Sequence, residues 1–215
     1  MRGTETIIES ICSAFGSNEY PGDGFLQGSL EGCEPFEEVG PFAGKADWKS
    51  LESDFLDAHA GALSFFSQAG FRFFLPAYLI ADVRGRLTVA DPSFHLTHGF
   101  SDTCVDVPTK AGISLRRTGK SEYVNPRRYG AMTFCDYARY RLSVFTREEA
   151  NAIVAYLTYR RDSSSTNFEK EGIDAALNSY WLERAQTAPA AESLKRHAAE
   201  LDEFLAAIKN KQGEL

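Results

Sequence analysis

The stretch from Gly61 to Arg84, GALSFFSQAGFRFFLPAYLIADVR, constrains this chain more than any other. It is the most apolar part of the molecule and is expected to be helical and to form the centre of the core. Pro76 lacks an N–H and its ring crowds the preceding turn. The spacing therefore predicts a kink there, or two abutting helices with Pro76 in the first turn of the second. Gly85 follows as the residue just past the helix end. The segment cannot cross a membrane, because its longest nearly apolar run, Phe73 to Ala81, is nine residues and a span needs about twenty.

The flanking sequence supplies further helices. Ile7, Ile8, Ile11 and Phe15 have helical spacing over 4–15, with Thr4, or Thr6 with Glu9, as the cap. Residues 16–46 hold seven glycines and three prolines and read as a long wrapping loop pinned by Phe25, Leu26, Phe36 and Phe42. Asp47 is the expected N-cap of a helix from Trp48 to about His59, with Trp48, Leu51 and Phe55 on one face. Leu87 with Val89, and Tyr140 with Leu142 and Val144, alternate with polar neighbours and predict two short strands. Thr146 with Glu149, and Thr166 with Glu169, have the spacing of capping boxes. A last helix from Pro189 carries Leu194, Leu201 and Ile208 seven apart. The expected fold is mainly α, a helical domain with a small β element between about 86 and 145. One domain covers 1–215: an N-terminal helix and acidic Gly/Pro-rich loop over 1–46, a core over 47–185 and a C-terminal helix over 189–212.

The block ALSFFSQAGFRFFLPAYLIAD at 62–82 resembles the signature of a bacterial family of unknown function, in which a Trp-containing helix precedes an "ALSFLSPEAFRYYLPAYLL"-like stretch. The likeness continues in Trp48 and Leu51, in FTREEANAIVAYL at 145–157 and in ALNSYW at 176–181, and so spans about 48–182. Where the family pattern has Ser-Pro-Glu, this chain has Ser67-Gln68-Ala69, so the cap is kept and the proline is not. The resemblance implies a fold and carries no activity, cofactor or catalytic residue. Arg72, set between apolar residues, needs a carboxylate, and an acid from the 47–57 segment is the natural candidate.

Net charge is −7, which disfavours generic nucleic-acid binding, and the charge is unevenly spread. Residues 1–60 carry twelve acids against Arg2, Lys45 and Lys49, net −9, whereas 110–147 carry nine bases against Glu122 and Asp136, net +7. The two regions either face each other or the basic one docks a partner. The cysteines, Cys12, Cys33, Cys104 and Cys135, form no CxxC, and Met1–Glu5 opens no apolar leader. Reduced thiols in a cytoplasmic protein are expected.

Candidate chemistry is sparse. His95 and His98 are the only close imidazole pair, with Asp91, Asp102, Cys104 and Asp106 as further metal ligands. Pro92 and Gly99 argue against an ordinary helix between them, and metal binding is disfavoured. Cys104 with His95 or His98 would make a nucleophile and base. Thr118-Gly119-Lys120-Ser121 echoes the end of a phosphate loop, but Ser114 stands where its first glycine belongs. Arg116, Arg117, Lys120, Arg127, Arg128, Arg139 and Arg141 interleave with Tyr123, Tyr129, Tyr137 and Tyr140. Arg and Tyr together suit a protein interface or a nucleic acid. The expected function is non-catalytic binding of another protein, with Arg116, Arg117, Arg127, Arg128 and Tyr129 as contact residues and no cofactor. The alternatives are a metal-dependent or Cys/His hydrolase at 91–106, and nucleic-acid binding through 110–147.

Overall fold

A computed structural model describes residues 2–101, 103–110, 112–119, 133–197 and 199–200, and it is mainly helical. In chain order the helices are α1 (Arg2–Phe15), α2 (Glu34–Val39), α3 (Ser53–Ala58), α4 (Ala62–Phe65), α5 (Gln68–Val83), α6 (Pro92–Thr97), α7 (Phe134–Leu142), α8 (Arg147–Ser163), α9 (Asn167–Ala176) and α10 (Leu182–Thr187). Between α6 and α7, strands β1 (Thr103–Thr109) and β2 (Gly112–Gly119) pair as an antiparallel hairpin.

α5 is the axis of the molecule. Twelve of its residues are buried, among them Phe71, Phe74, Leu75, Tyr78 and Leu79, and α1, α3, α6 and the turn at Trp48–Ser50 pack around it. Pro76 lies inside this helix and does not divide it. The break comes earlier, at Phe66 and Ser67, which are extended. There the Ser67 hydroxyl accepts from the Gly70 amide at 3.0 Å and starts the helix. The carbonyl of Arg72 loses its amide donor at Pro76, a cost of about 3 kcal/mol that burial of the surrounding turns offsets. At the other end the Gly85 amide donates to Asp82 O at 2.8 Å and Arg86 to Ala81 O at 2.9 Å, with Gly85 at φ 64°. These are the paired bonds of a Schellman stop.

The 16–46 segment is not loop throughout. Asp23–Phe25 and Gly40–Phe42 form 3-10 turns, and Pro35 occupies the first turn of α2. Leu26 and Phe42 are its buried pins. Phe25 and Phe36, expected to share that role, point outward. The wrap lies directly on the start of α5: Ser67 N donates to Leu26 O and Gly28 N to Phe65 O, both at 2.7 Å. A Cβ on Gly70 would stand 2.7 Å from Leu26 O, and one on Gly28 the same distance from Phe66 O. The two backbones approach this closely because both positions are glycine.

Three other expectations are corrected. Asp47 caps only a 3-10 turn, Trp48–Ser50, because Leu51 is extended and the helix begins again at Ser53. Leu87–Val89 form no strand, since the amides of Thr88, Val89 and Ala90 all donate to the Asp57 carboxylate at 2.8–3.1 Å. Tyr140 and Leu142 lie in α7, which a capping box between Thr133 and Asp136 starts. The Thr146–Glu149 box forms in full. At α9 only half of the second one does: Thr166 accepts from Glu169 N, while the Glu169 carboxylate turns to Arg160 at 2.9 Å and Ser164 at 2.7 Å. Thr4 and Thr6 lie within α1.

A π turn, Leu177–Trp181, joins α9 to α10. The Trp181 indole N–H donates to Leu96 O at 2.8 Å and pins this turn to α6. Residues 191–197 and 199–200 are helical, with Leu194 exposed. Leu201, Ile208 and the rest of the expected 189–212 helix lie outside the described residues.

Candidate functional site

Asp91 and Pro92 create a helix where an irregular loop was expected. Proline is tolerated in the first turn, and the Asp91 carboxylate accepts from Phe94 N at 3.1 Å and Ser93 Oγ at 2.6 Å. His95 sits in the last turn of α6, and His98 is already extended, with ψ at 133°. The two imidazoles therefore do not share a helical face. Rings surround them: Phe71 and Phe94 stand 6.5 and 5.3 Å from His95, and Phe94 and Phe134 stand 4.8 and 5.5 Å from His98. The Arg141 guanidinium lies 4.5 Å from the centre of Phe71. Burial pushes His95 down to about 4, with Arg141 adding to the effect and Asp91 opposing it. His98 is lowered by partial burial and by Arg141. Neutral imidazoles suit a metal, but a guanidinium beside them repels one. Among the described residues no three His, Cys, Asp or Glu side chains are grouped to hold an ion. Cys104 and Asp106 belong to the β1 backbone, and Asp102 lies outside the described residues.

The described part of the basic stretch divides between strand β2 and helix α7. Arg116 pairs in register with Val105 and Arg117 with Cys104. Lys120, Arg127, Arg128 and Tyr129 lie outside the described residues. Arg139 and Arg141, in α7, hold the fold together. Arg139 Nη2 donates to Ser179 O and Arg141 Nη2 to Leu63 O. Gln68 Nε2 adds a bond to Tyr140 O at 2.7 Å. α7 is thus fastened to α4, α5 and the π turn through main-chain oxygens.

The acidic half presents the opposite picture. On the wrap, Phe25 is 69%, Leu30 77% and Phe36 53% exposed, and Glu19, Asp23, Glu31, Glu34 and Glu37 around them are exposed too. Residues 25–28 run along 65–67, and α2 packs on α4, so both arms of the wrap border the same strip of the molecule. The anchor is firm. Tyr20 Oη donates to Asp23, whose carboxylate also accepts from Gly44 N at 2.8 Å. The Tyr20 ring packs edge-on against Phe73 at 5.3 Å. The sequence marks this surface by the coincidence of aromatic residues with a run of acids, a signal that reading Phe25 and Phe36 as pins concealed.

Beside the wrap, a cavity of about 460 Å³ is lined by residues of the 44–55 segment, including Lys45, Asp47, Glu52 and Phe55. The Lys45 ammonium lies 4.6 Å from the Phe55 ring centre. No residue expected from the sequence to carry chemistry lines it. Phe73 and Tyr78 are buried in the core, and the Tyr78 hydroxyl donates to His59 O at 2.8 Å. Among the described residues no helix is long and apolar enough to cross a membrane. No family model, curated protein or solved structure matches this chain.

Proposed function

We propose that this chain is a non-catalytic binding protein, working in the cytoplasm, and that its partner is a protein segment combining basic and apolar side chains. The observation that carries this reading is the exposure of Phe25, Leu30 and Phe36 on a wrap whose neighbouring residues are pinned. Large apolar side chains held out from a fixed backbone mark contact surfaces, because little conformational entropy remains to be lost when they are covered. The exposed carboxylates beside them select the occupant: lysines or arginines steer toward them, and apolar residues between those bases cover the rings. Arg139 and Arg141 are engaged within the fold, and the acidic wrap is the docking surface this reading favours. The bacterial family resemblance over 48–182 remains part of this proposal and adds no chemistry to it.

Selection from a displayed peptide library tests it. Enriched peptides should carry two or more Lys or Arg interspersed with aliphatic or aromatic residues. Their affinity should fall as salt rises. It should fall at least tenfold for the triple variant Phe25→Ser, Leu30→Ser, Phe36→Ser, whose substitutions are at solvent-facing positions. Peptides without basic residues, or peptides that bind the triple variant equally well, would remove the proposal.

A further inference from the structure

The π turn at Leu177–Trp181 collects hydrogen-bond donors that lack acceptors. The Tyr180 hydroxyl and, four residues on, Nε of Arg184 are both buried without a hydrogen-bond partner among the described residues. Tyr180 is 7% exposed. Its ring stacks on Phe100 at 5.2 Å and 17°, and the Arg139 guanidinium lies 5.7 Å from its centre. The hydrogen bonds of these two arginines go to neutral main-chain oxygens: Ser179 for Arg139, Ser143 and Phe145 for Arg184. Other arginines, such as Arg72, Arg160 and Arg161, are matched by carboxylates. Among the described residues Arg139 and Arg184 are in no ion pair. Both charges act on the phenol, opposing the upward push of burial on its ionisation. Buried donors without acceptors are costly, and so is the partly buried Arg184 charge with no carboxylate beside it among the described residues. One occupant relieves both, an acceptor that carries negative charge.

We propose that this corner, between the end of α7 and the π turn, binds a small oxyanion of the phosphate class. Tyr180 Oη–H and Arg184 Nε–H donate to its oxygens, and the two guanidinium charges match a dianion. Arg139 is exposed and lies over the ring, so its side chain is the one that swings to admit the ion. A local π geometry sets Tyr180 beside α7, in keeping with the frequent placement of such turns at functional sites.

The test uses the full chain at low ionic strength, titrated with inorganic phosphate, with acetate, and with chloride at matched ionic strength. Binding is followed by calorimetry and by the Nε–H resonance of Arg184. A saturable shift with phosphate, weaker with acetate and absent with chloride, is expected. Tyr180→Phe keeps the ring stack and removes the donor, and should weaken phosphate binding about tenfold. Arg139→Gln, at an exposed position, should weaken it by a similar factor and removes a charge where Tyr180→Phe removes a donor. Equal responses to phosphate and chloride would overturn the site. Equal affinity for acetate would overturn the dianion assignment. Unchanged binding in both variants would place the ion elsewhere and overturn the proposal.

Discussion

Arg72 and Glu149 meet across the centre of the molecule, with Arg72 Nε donating to both carboxylate oxygens of Glu149 at 3.0 and 2.9 Å. Glu149 is completely buried and does three jobs at once. Its carboxylate accepts from Thr146 N at 2.8 Å to cap α8, and from Asn18 Nδ2 at 2.7 Å to hold the chain leaving α1. A single side chain thereby joins α1's exit, α5 and α8. Replacing Glu149 with Ala strands a half-buried guanidinium and a buried amide together, and the expected loss is about 3–5 kcal/mol. Urea denaturation of Glu149→Ala beside Arg72→Met and the double variant measures it. The double variant should be less destabilised than Glu149→Ala alone, because no unpaired charge is left behind.

His95 makes stability depend on pH. Its folded value, lowered to about 4, lies below the ordinary 6.5, so between those limits the unfolded chain binds more protons than the folded one. Stability is therefore highest above pH 6.5, declines as the pH falls toward 4, and levels off below that as far as this group is concerned. The decline should be on the order of 2–3 kcal/mol. The groups facing the imidazole are Arg141, which strengthens the effect, Asp91, which opposes it, and His98, itself lowered in the same direction. Denaturation midpoints at pH 7.5 and 4.5 for the native chain and for His95→Gln would show the dependence shrinking in the variant.

Asp57 organises the turn after α5 by accepting from three successive amides and from the Thr88 hydroxyl. Asp57→Ala should free that turn while leaving the core in place. Amide exchange at Thr88, Val89 and Ala90 is expected to accelerate by a factor of ten or more, with a global loss of about 1–3 kcal/mol. Unchanged exchange at those three amides would contradict the arrangement.

Gly70→Ala would push a methyl against Leu26 O, a main-chain atom that cannot rotate away. A loss of about 1–3 kcal/mol is expected, together with faster proteolytic cleavage between Gly24 and Gly32. Ala69→Gly, at the adjacent position, should leave cleavage there unchanged.

Local signals were readable in the chain and distant ones were not. Thr146 with Glu149 specified its cap because both partners lie within one turn, and Ile8, Ile11 and Phe15 specified the buried stripe of α1. The partner of Arg72 depended on which helix crosses α5 at that height, so an acid 77 residues away took the place of the expected one from 47–57. Pro76 was read from its intrinsic cost, but burial on every side of α5 outweighs that cost. α7 was mistaken for a strand because Tyr140, Leu142 and Val144 alternate, although Thr133 and Asp136 already carried the T-x-x-D mark of a helix start. At 91–106 Pro92 and Gly99 argued against a helix, yet Asp91 and Pro92 start one; it ends before His98, so the two imidazoles differ in backbone setting and lie among rings. Of the basic stretch, two arginines proved to be fastenings within the fold, a role that spacing along a chain does not distinguish from docking.

Arg139, Arg141 and Arg184 each grip a peptide oxygen, at Ser179, at Leu63, and at Ser143 with Phe145. A peptide oxygen is present whatever side chain its residue bears. Mutations at those accepting positions can therefore accumulate without compensating changes in the arginines, whereas a change at an arginine removes the donor itself. The seam around α7 is built to tolerate drift on one side only.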